Sequence, residues 1–310
     1  MRLLKLECEG FRSLTHLCIE PVPGLNIIHG GNAQGKTTVL EALLYAATSK
    51  SHRTTLESEL VQYGADRFHV GVSAQRQDRE VVIDAYWWKN IKRFKVNGVA
   101  QTRLSDILGR VHVVFFCPED IGLIKEGASV RRRFLDMELS QLLPGYLQAL
   151  QQYRQALRQR NELLRTDHPD PALVDVWDAQ LIEYGTVILQ LRREFIADLS
   201  ARATQAYARV AEEETLTLAY LPDVKTPDEL AGVLERSRAS DLKHRVTHRG
   251  PHRDDMEILV DGRAARSFAS QGQQKTAALA LKLAELELIR ARSGEYPILL
   301  LDEVLAELDE

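Results

Sequence analysis

The sequence predicts an α/β fold, a mixed sheet with an antiparallel subdomain, joined to a lobe of helices. Three observations lead to this prediction. A glycine-rich loop at residues 30–37 follows a short apolar run, a second apolar run at 297–301 ends in two acids, and residues 147–199 repeat apolar side chains every three or four positions. The first two features are typical of a nucleotide-binding sheet, and the third is typical of packed helices.

The composition is that of a large soluble protein. The 310 residues are 45% hydrophobic and 27% charged, which allows one large or two moderate cores. Residues 2–7 alternate charged and apolar side chains, which predicts an edge strand rather than a signal peptide, and no apolar run approaches the ~18 residues of a membrane span. The cysteines, Cys8, Cys18 and Cys117, lack metal-ligand spacing, so we expect reduced thiols in a cytoplasmic protein.

The glycine-rich loop has the form G-x-x-x-x-G-K-[ST] and lies between the predicted strand 25–28 and a helix over 38–47. Its glycines let the backbone close around phosphates, Lys36 can reach the β and γ phosphates, and the Thr37 hydroxyl can ligate Mg²⁺. An ordinary glycine turn is the alternative. We expect a nucleoside triphosphate to contact Gly30, Gly31, Asn32, Ala33, Gln34, Gly35, Lys36, Thr37 and Thr38.

The apolar run at 297–301 predicts a buried parallel strand that delivers Asp302 and Glu303 to its carboxyl end. Asp302 would hold Mg²⁺ directly or through water, and Glu303 would polarise the attacking water. The alternative is a core strand that happens to end in acids. With Lys36, these two acids are the predicted catalytic residues.

Between these two motifs the sequence pattern changes from that of short strands to that of long helices. Residues 81–86 and 93–96, with a turn at Asn97-Gly98, predict an antiparallel meander. Residues 172–213 predict one helix of roughly 60 Å, whose apolar seam packs on a shorter helix over 147–164. The turn-rich stretch 221–227 predicts that the chain leaves the helical lobe there and goes back to the nucleotide-binding part. The predicted domains are therefore an N-terminal nucleotide-binding part over 1–120, a helical lobe over 121–220 and the remainder of the nucleotide-binding part over 221–310.

A further anion-binding helix start is predicted at Ser270, Gln271, Gly272 and Gln273, which precede an amphipathic helix from Lys275 to about Arg292. Since the glycine-rich loop already serves the phosphates from its own side, two such sites on one chain suggest that two chains share one nucleotide.

These motifs resemble those of ABC-type P-loop ATPases, whose signature motif contacts the γ-phosphate bound by the other subunit. Asp309 is similar to the D-loop of that superfamily. Within it the chain resembles the RecF family of bacterial recombination mediators. The stretches that carry this resemblance are residues 11–13, 51–53, 118–125, 131–136, 250–255, 270–274 and 301–303.

The resemblance implies an ABC-type ATPase head with a helical lobe, ATP and Mg²⁺ as cofactors, and a homodimer that forms on ATP binding. It also implies a weak DNA-stimulated ATPase that acts as a switch in recombinational repair, DNA replication and the SOS response to DNA damage. The expected partners are gapped or double-stranded DNA, or a junction with single strand, and a RecR-like protein that helps to load RecA. We therefore expect association with the nucleoid when the protein is active. The family continues past the D-loop, so a truncated C-terminus is expected.

The formal net charge is −4, so DNA binding would depend on local basic patches. Residues 86–95 interleave aromatics with cations, although a half-buried hairpin with snorkelling lysines would also give this pattern. Arginines on the predicted helices suggest phosphate contacts, with a solvated helix face as the alternative. The DNA candidates are Lys89, Lys92, Arg93, Arg131, Arg132, Arg154 and Arg158.

Two questions stay open from sequence. Residues 248–255 are rich in His, Arg and Asp, but their spacing fits no metal site, and a turn held by Arg–Asp pairs is the alternative to a contact with nucleotide or partner. Two other functions also remain. One is a nucleotide-gated DNA-binding scaffold without productive hydrolysis, and the other is a transport-coupled ATPase subunit, which the helical insertion disfavours.

Overall fold

A computed structural model describes residues 1–211 and 213–303, which fold into two compact units. The first contains Met1–Pro118 and the segment from Ile289 onward, and the second is Glu119–Leu288. The first boundary lies close to the predicted residue 120. The chain returns to the first unit only at Ile289 and not at residue 221, because the strands Leu216–Leu221 and Asp255–Val260 and the helix Leu230–His244 between them pack against helices of the second unit.

The first unit contains a six-stranded antiparallel sheet of order β2-β1-β3-β4-β5-β6. Its strands are β1 (Arg2–Phe11), β2 (Leu14–Ile19), β3 (Arg67–Arg76), β4 (Arg79–Trp88), β5 (Ile91–Val96) and β6 (Val99–Gln101). The predicted meander is confirmed, and Asn97-Gly98 turns β5 into β6. The expectation of an edge strand at residues 2–7 is wrong for Leu6 and Glu7, which pair with β2 on one side and β3 on the other, whereas the described ladders pair Arg2, Leu3 and Lys5 with β3 alone.

Helix α1 (Lys36–Thr48) packs against the antiparallel sheet and closes the core of the first unit. Phe11, Tyr45 and Phe68 meet there with ring centroids 5.2–6.0 Å apart. A separate pair of strands, β7 (Val113–Phe116) and β11 (Ile298–Leu301), is parallel and in register from Ile298 opposite Val113. The prediction of a parallel strand is therefore confirmed, but the prediction that it is buried is wrong, because Leu299 and Leu301 are about two-fifths exposed and only Leu300 is buried.

The predicted strand at residues 25–28 is wrong for this structure. Residues 25–30 have no strand assignment, and Leu25 and Ile27 are 78% and 75% exposed. The Asn26 side chain accepts from the Val22 amide at 3.0 Å and donates to the carbonyl oxygens of Val22 and Gly24. These bonds hold a local turn over residues 22–26, at the start of the predicted strand.

The second unit is built mainly from helices. They are α2 (Gly122–Lys125), α3 (Ala128–Leu142), α4 (Pro144–Leu164), α5 (Pro171–Tyr207), α6 (Leu230–His244), α7 (Ala265–Phe268) and α8 (Gln271–Ser293), the last of which continues into the first unit. The predicted helix pair is α4 and α5, and its buried seam includes Tyr153, Leu181, Ile188 and Phe195. Helix α5 ends six residues before the predicted Glu213, at a length of about 56 Å.

A three-stranded antiparallel sheet of order β10-β9-β8 completes the second unit. It contains β8 (Leu216–Leu221), β9 (Asp255–Val260) and β10 (Arg263–Ala264), with β8 against α5 and β9 against α3. No helix within residues 1–211 and 213–303 combines the length and the apolar character needed to cross a membrane.

Candidate functional site

The glycine-rich loop leads directly into α1. Gly35 is the N-cap of that helix with φ 90°, and a Cβ at this position would lie 3.0 Å from the Ser13 hydroxyl oxygen. The left-handed backbone therefore favours glycine, and a side chain here would also have to displace the Ser13 hydroxyl slightly. Ala33 also has a positive φ, 62°, which a residue with a Cβ adopts at a cost in free energy. The free N–H groups of the first helical turn are thus presented at the loop.

The Lys36 side chain folds back over this loop. Its ammonium group donates to the carbonyl oxygens of Gly30 and Gly31 at 3.0 and 2.9 Å. The Lys36 cation thus lies at the loop, beside the N-terminal end of α1, where the helix dipole also favours an anion.

The Thr37 hydroxyl donates to the Asp302 carboxylate at 3.1 Å, across 265 residues of sequence. The Asp302 amide donates to the Phe116 carbonyl at 2.9 Å, which extends the β7–β11 ladder and places this carboxylate at the carboxyl end of the parallel strands. One hydroxyl and one carboxylate oxygen are ligands that suit Mg²⁺, so Thr37 and Asp302 fit the ion expected there. Glu303 follows with an exposed side chain and a positive φ of 53°.

Sequence reasoning missed a buried carboxylate on α1. Glu41 is fully buried and accepts from Arg12 at 3.0 and 2.8 Å and from the Ser51 hydroxyl at 2.5 Å, with Arg53 at 3.5 Å. Arg12 lies in the β1–β2 turn, next to the Ser13 that contacts Gly35. The stretches 11–13 and 51–53 therefore converge on Glu41 and fix α1. Their appearance among the family motifs was the only signal in the sequence.

The start of α8 has reciprocal capping. The Ser270 hydroxyl accepts from the Gln273 amide at 3.2 Å, and the Gln273 side chain accepts from the Ser270 amide at 2.7 Å. Gln271 and Gly272 are exposed between them, and a Cβ on Gly272 would meet only the Ser270 hydroxyl, at 3.9 Å. Packing within the described chain therefore does not require this glycine.

A second set of contacts holds the same helix start. The Glu214 carboxylate accepts from the Gln273 side-chain amide at 2.6 Å and from the Tyr207 hydroxyl at 2.7 Å. Burial raises the pKa of Tyr207, and its hydrogen bond to Glu214 adds to the rise. Glu214 thus links the C-terminal end of α5 to the capping residue of α8.

The arginine run on α3 and residues 248–255 form one buried network. Arg192, 2% exposed, donates at 2.8 Å to both Asp136 and Asp254 and at 2.7 Å to the Pro251 carbonyl. Arg131 makes a bidentate pair with Asp255 at 2.7 and 2.8 Å. Residues 248–255 are therefore, as far as the described contacts show, a turn held by Arg–Asp pairs.

Two further contacts fix this turn. Gly250 has φ 130°, and a Cβ there would lie 2.6 Å from the Tyr153 hydroxyl, so the position requires glycine. His252 Nδ1 is 2.7 Å from the same hydroxyl, and its Nε2 is 3.1 Å from the Thr247 carbonyl. Burial lowers the pKa of His252 to about 4. Within the described part of the chain, no group of three or more His, Cys, Asp or Glu could hold a metal ion.

The structure separates the DNA candidates into two classes. Lys92 is turned toward the core, where it donates to Ser49 O at 2.8 Å and pairs with Glu57, and burial lowers its pKa. Arg131 is buried against Asp255, and half-buried Arg132 donates to the Asp254 carbonyl. These three cations already serve the fold, so we no longer expect them to contact an outside phosphate.

The remaining four candidates are exposed. Lys89 lies over the Trp88 ring, 5.1 Å from its centroid, and Arg154 is 56% exposed while it pairs with Asp136 at 2.6 Å. Arg93 and Arg158 make no hydrogen bond or ion pair with any residue that the structure describes. Asp309, the predicted D-loop residue, lies outside the described residues.

Comparison with known proteins agrees with this geometry. Residues 5–84 match the family described as AAA domain. The chain is 40% identical over 311 residues to the DNA replication and repair protein RecF of Lachnospira eligens, covering 98% of this chain and 85% of the relative. It is 36% identical to a solved structure of the recombination mediator protein RecF with ATP in the RecFOR pathway, with a TM-score of 0.95 over 100% of this chain and 86% of that one. The Smc head domain of Pyrococcus furiosus is 17% identical with a TM-score of 0.52, over 99% and 91% of the two chains, and shares the fold.

Proposed function

This chain belongs to the RecF family of DNA replication and repair proteins, with an ABC-type ATPase fold, and from this premise we propose that it is an ATP-gated DNA clamp. The observation that carries the proposal is the hydrogen bond between Thr37 and Asp302. It joins the phosphate-binding loop to the acid-terminated strand, as a nucleotide site with Mg²⁺ requires.

ATP would bind along the loop residues 30–38, with Lys36 on the β and γ phosphates. Mg²⁺, held by Thr37 and Asp302, would neutralise phosphate charge when bound. Glu303 would accept a proton from the attacking water, and its exposed side chain at the strand end is free to face a nucleotide. Lys36 would exchange the Gly30 and Gly31 carbonyls for phosphate oxygens.

A second copy of the chain would complete the site. Residues 270–273 present a capped helix start with Gln271 and Gly272 exposed, and within residues 1–211 and 213–303 a Cβ on Gly272 would approach only the Ser270 hydroxyl. An incoming γ-phosphate of the partner copy would use that space. ATP then favours the closed dimer because it contacts both copies, and hydrolysis removes the contact that favoured closure. Asp309 would lie at the dimer seam.

The DNA and protein partners follow from the names of the relatives. A RecF structure is described as that of a recombination mediator protein in the RecFOR pathway, which supports a RecR-type partner. We propose that this partner and the present chain together help to load RecA onto gapped DNA. We propose that the dimer grips double-stranded DNA or its junction with single strand. Slow, DNA-stimulated hydrolysis would then release it.

Light scattering with Mg²⁺, with and without ATP, tests the composite site. Wild type should convert from monomer to dimer with ATP, whereas Lys36→Met and Ser270→Arg should remain monomeric. Gly272→Ala is a sharper variant, since the helix tolerates the methyl group but the partner's phosphate does not. A wild-type protein that binds ATP and stays monomeric would contradict the two-copy site.

A nucleotide-gated scaffold without productive hydrolysis is the second candidate, and a single variant separates the two. If ATP hydrolysis sets the time at which the dimer releases DNA, the Glu303→Gln variant should still dimerise with ATP but should retain DNA far longer than wild type. Unchanged retention would favour the scaffold. If the chain were a transport-coupled ATPase, adding ATP would not increase its binding to DNA.

A further inference from the structure

Three strands of the first unit carry a set of exposed and half-buried side chains on the side of the sheet opposite α1. Cross-strand pairing places them in three rows, and we call this set the hairpin face. Its rows are Arg67, Trp88 and Ile91; His69, Tyr86 and Arg93; and Asp84 and Lys95, with Lys89 in the adjoining turn. The alternate residues Phe68, Trp87 and Phe94 are buried in the core, so the two sides of the strands are clearly distinguished.

The hairpin face is basic. Its strands β3–β5 and the adjoining turn carry the four cations Arg67, Lys89, Arg93 and Lys95 and the carboxylate of Asp84, which lies 2.9 Å from His69 Nε2. On the neighbouring strand β1, Glu9 stands opposite His69 and Glu7 opposite Gly71, so these acids border the rows on the side away from Arg93 and Lys95. Arg67 and Arg93 are exposed and make no hydrogen bond or ion pair with residues 1–211 or 213–303. The two arginines flank Trp88 and Tyr86 on neighbouring strands. In a chain of net charge −4 this is a local concentration of free positive charge.

Only one aromatic ring of this face is open. The Tyr86 ring is stacked on His69, with centroids 4.5 Å apart and planes at 20°, and Lys95 Nζ lies 5.4 Å from its centroid. Trp88 is 48% exposed and has Lys89 Nζ at 5.1 Å. A large exposed ring framed by free cations matches the way in which unpaired bases stack while phosphates pair with arginine and lysine.

We propose that the hairpin face binds the unpaired strand of gapped DNA, with a base stacked on Trp88 and phosphates at Arg67 and Arg93. The inference rests on the proposed DNA binding and adds the class of DNA that this surface takes. A duplex cannot occupy Trp88 in this way, because its base faces are covered by the neighbouring pairs. Duplex would contact the cations alone.

Fluorescence anisotropy with three labelled DNAs tests the proposal on the whole chain with ATP and Mg²⁺. The DNAs are an oligo(dT), a gapped duplex and a blunt duplex of equal length. Trp88→Ala should weaken binding of the first two about tenfold and leave blunt duplex unchanged, since only unpaired bases lose their stacking partner. Binding of oligo(dT) should also quench tryptophan fluorescence in wild type and less so in the variant.

Charge variants complete the design. Arg93→Ala should weaken all three DNAs and lower the slope of log affinity against log salt by about 1. The matched control is Arg79→Ala, an exposed arginine at the other end of β4, about 30 Å from Trp88, which should bind all three DNAs as wild type does.

The outcomes separate the two proposals. If Trp88→Ala binds oligo(dT) as wild type does, or loses blunt duplex equally, the hairpin face does not stack unpaired bases, even where ATP-gated binding holds. If the selective loss occurs without any need for ATP, the hairpin face is supported and the ATP gate is contradicted. Wild-type protein that binds none of the three DNAs would overturn both.

Discussion

His252 is a neutral imidazole held between a donor and an acceptor in the second unit. The Tyr153 hydroxyl donates to Nδ1, and Nε2 donates to the Thr247 carbonyl, so both ring nitrogens are used by the uncharged ring. Arg132 and Arg253 lie close enough to disfavour the charged form further, while Asp223 opposes them. Burial is the largest cause of the lowered pKa. Lowering the pH should therefore destabilise the folded protein, because the folded state resists protonation of His252.

We predict that the free energy of unfolding falls as the pH is lowered from 6.5 to about 4. In this window the unfolded chain binds a proton at residue 252 that the folded chain does not, and the difference amounts to roughly 3 kcal/mol. His252→Asn should lower stability at pH 7 and flatten this dependence. Urea unfolding of both proteins between pH 4 and 7 measures the two slopes, and equal slopes would show that other groups cause the acid sensitivity.

At the scale of elements, Glu214 connects the C-terminal end of the long helix α5 to the start of α8, where the predicted nucleotide contact lies. Glu214 precedes β8 and accepts from Tyr207, the last residue of α5, and from Gln273 in the capping box of α8. A shift at the end of α5 would therefore change the support of Gln273 and of Ser270. The helix start is positioned by its own cap and by this neighbour.

We predict that Glu214→Ala weakens ATP-driven dimerisation about tenfold while leaving ATP binding at the glycine-rich loop unchanged, because it removes two hydrogen bonds to a charged acceptor. Sedimentation with ATP measures the dimer and nucleotide titration measures binding. The matched control is Glu213→Ala, which removes the same charge from an exposed neighbour. Equal dimerisation of the two variants would exclude a positioning role for Glu214.

At the scale of the whole molecule, the chain folds as two compact units with separate cores. The first is held by the aromatic cluster beneath its antiparallel sheet. The second depends on charges that are out of contact with water, with Arg192 between Asp136 and Asp254 as its centre. A buried network of this kind is destabilising when one member is removed, since the opposite charges lose their partner.

We predict that Arg192→Met destabilises the second unit by about 3–5 kcal/mol, because Asp254 is left fully buried without its cation. Hydrogen exchange measured on peptides should show faster exchange in residues 119–288 and little change in residues 1–118. Arg193→Met, on the exposed side of the same helix, is the control. Equal acceleration in both units would show that they unfold together.

The sequence by itself determined the glycine-rich loop before α1, the parallel strand before Asp302 and the α4–α5 pair, because each depends on local spacing or short-range periodicity. It also indicated the family, through the resemblance of motifs that are spread along the chain. Lys36 and Thr37 follow from the loop pattern alone, and the seam of α5 follows from its repeat of three and four.

Only the tertiary structure decided which charged side chains are exposed to a binding partner and which form ion pairs within the fold. Lys92 and Arg93 are adjacent in sequence, yet one pairs with Glu57 in the core and the other is exposed, because successive side chains of a strand point to opposite sides. The apolar run at residues 25–28 predicts a strand, but the segment has no strand assignment, and Leu25 and Ile27 are exposed next to the turn that the Asn26 side chain holds with Val22. The convergence of Arg12 and Ser51 on Glu41, and of Arg192 on two aspartates, joins residues far apart in the chain, so no local pattern could predict it.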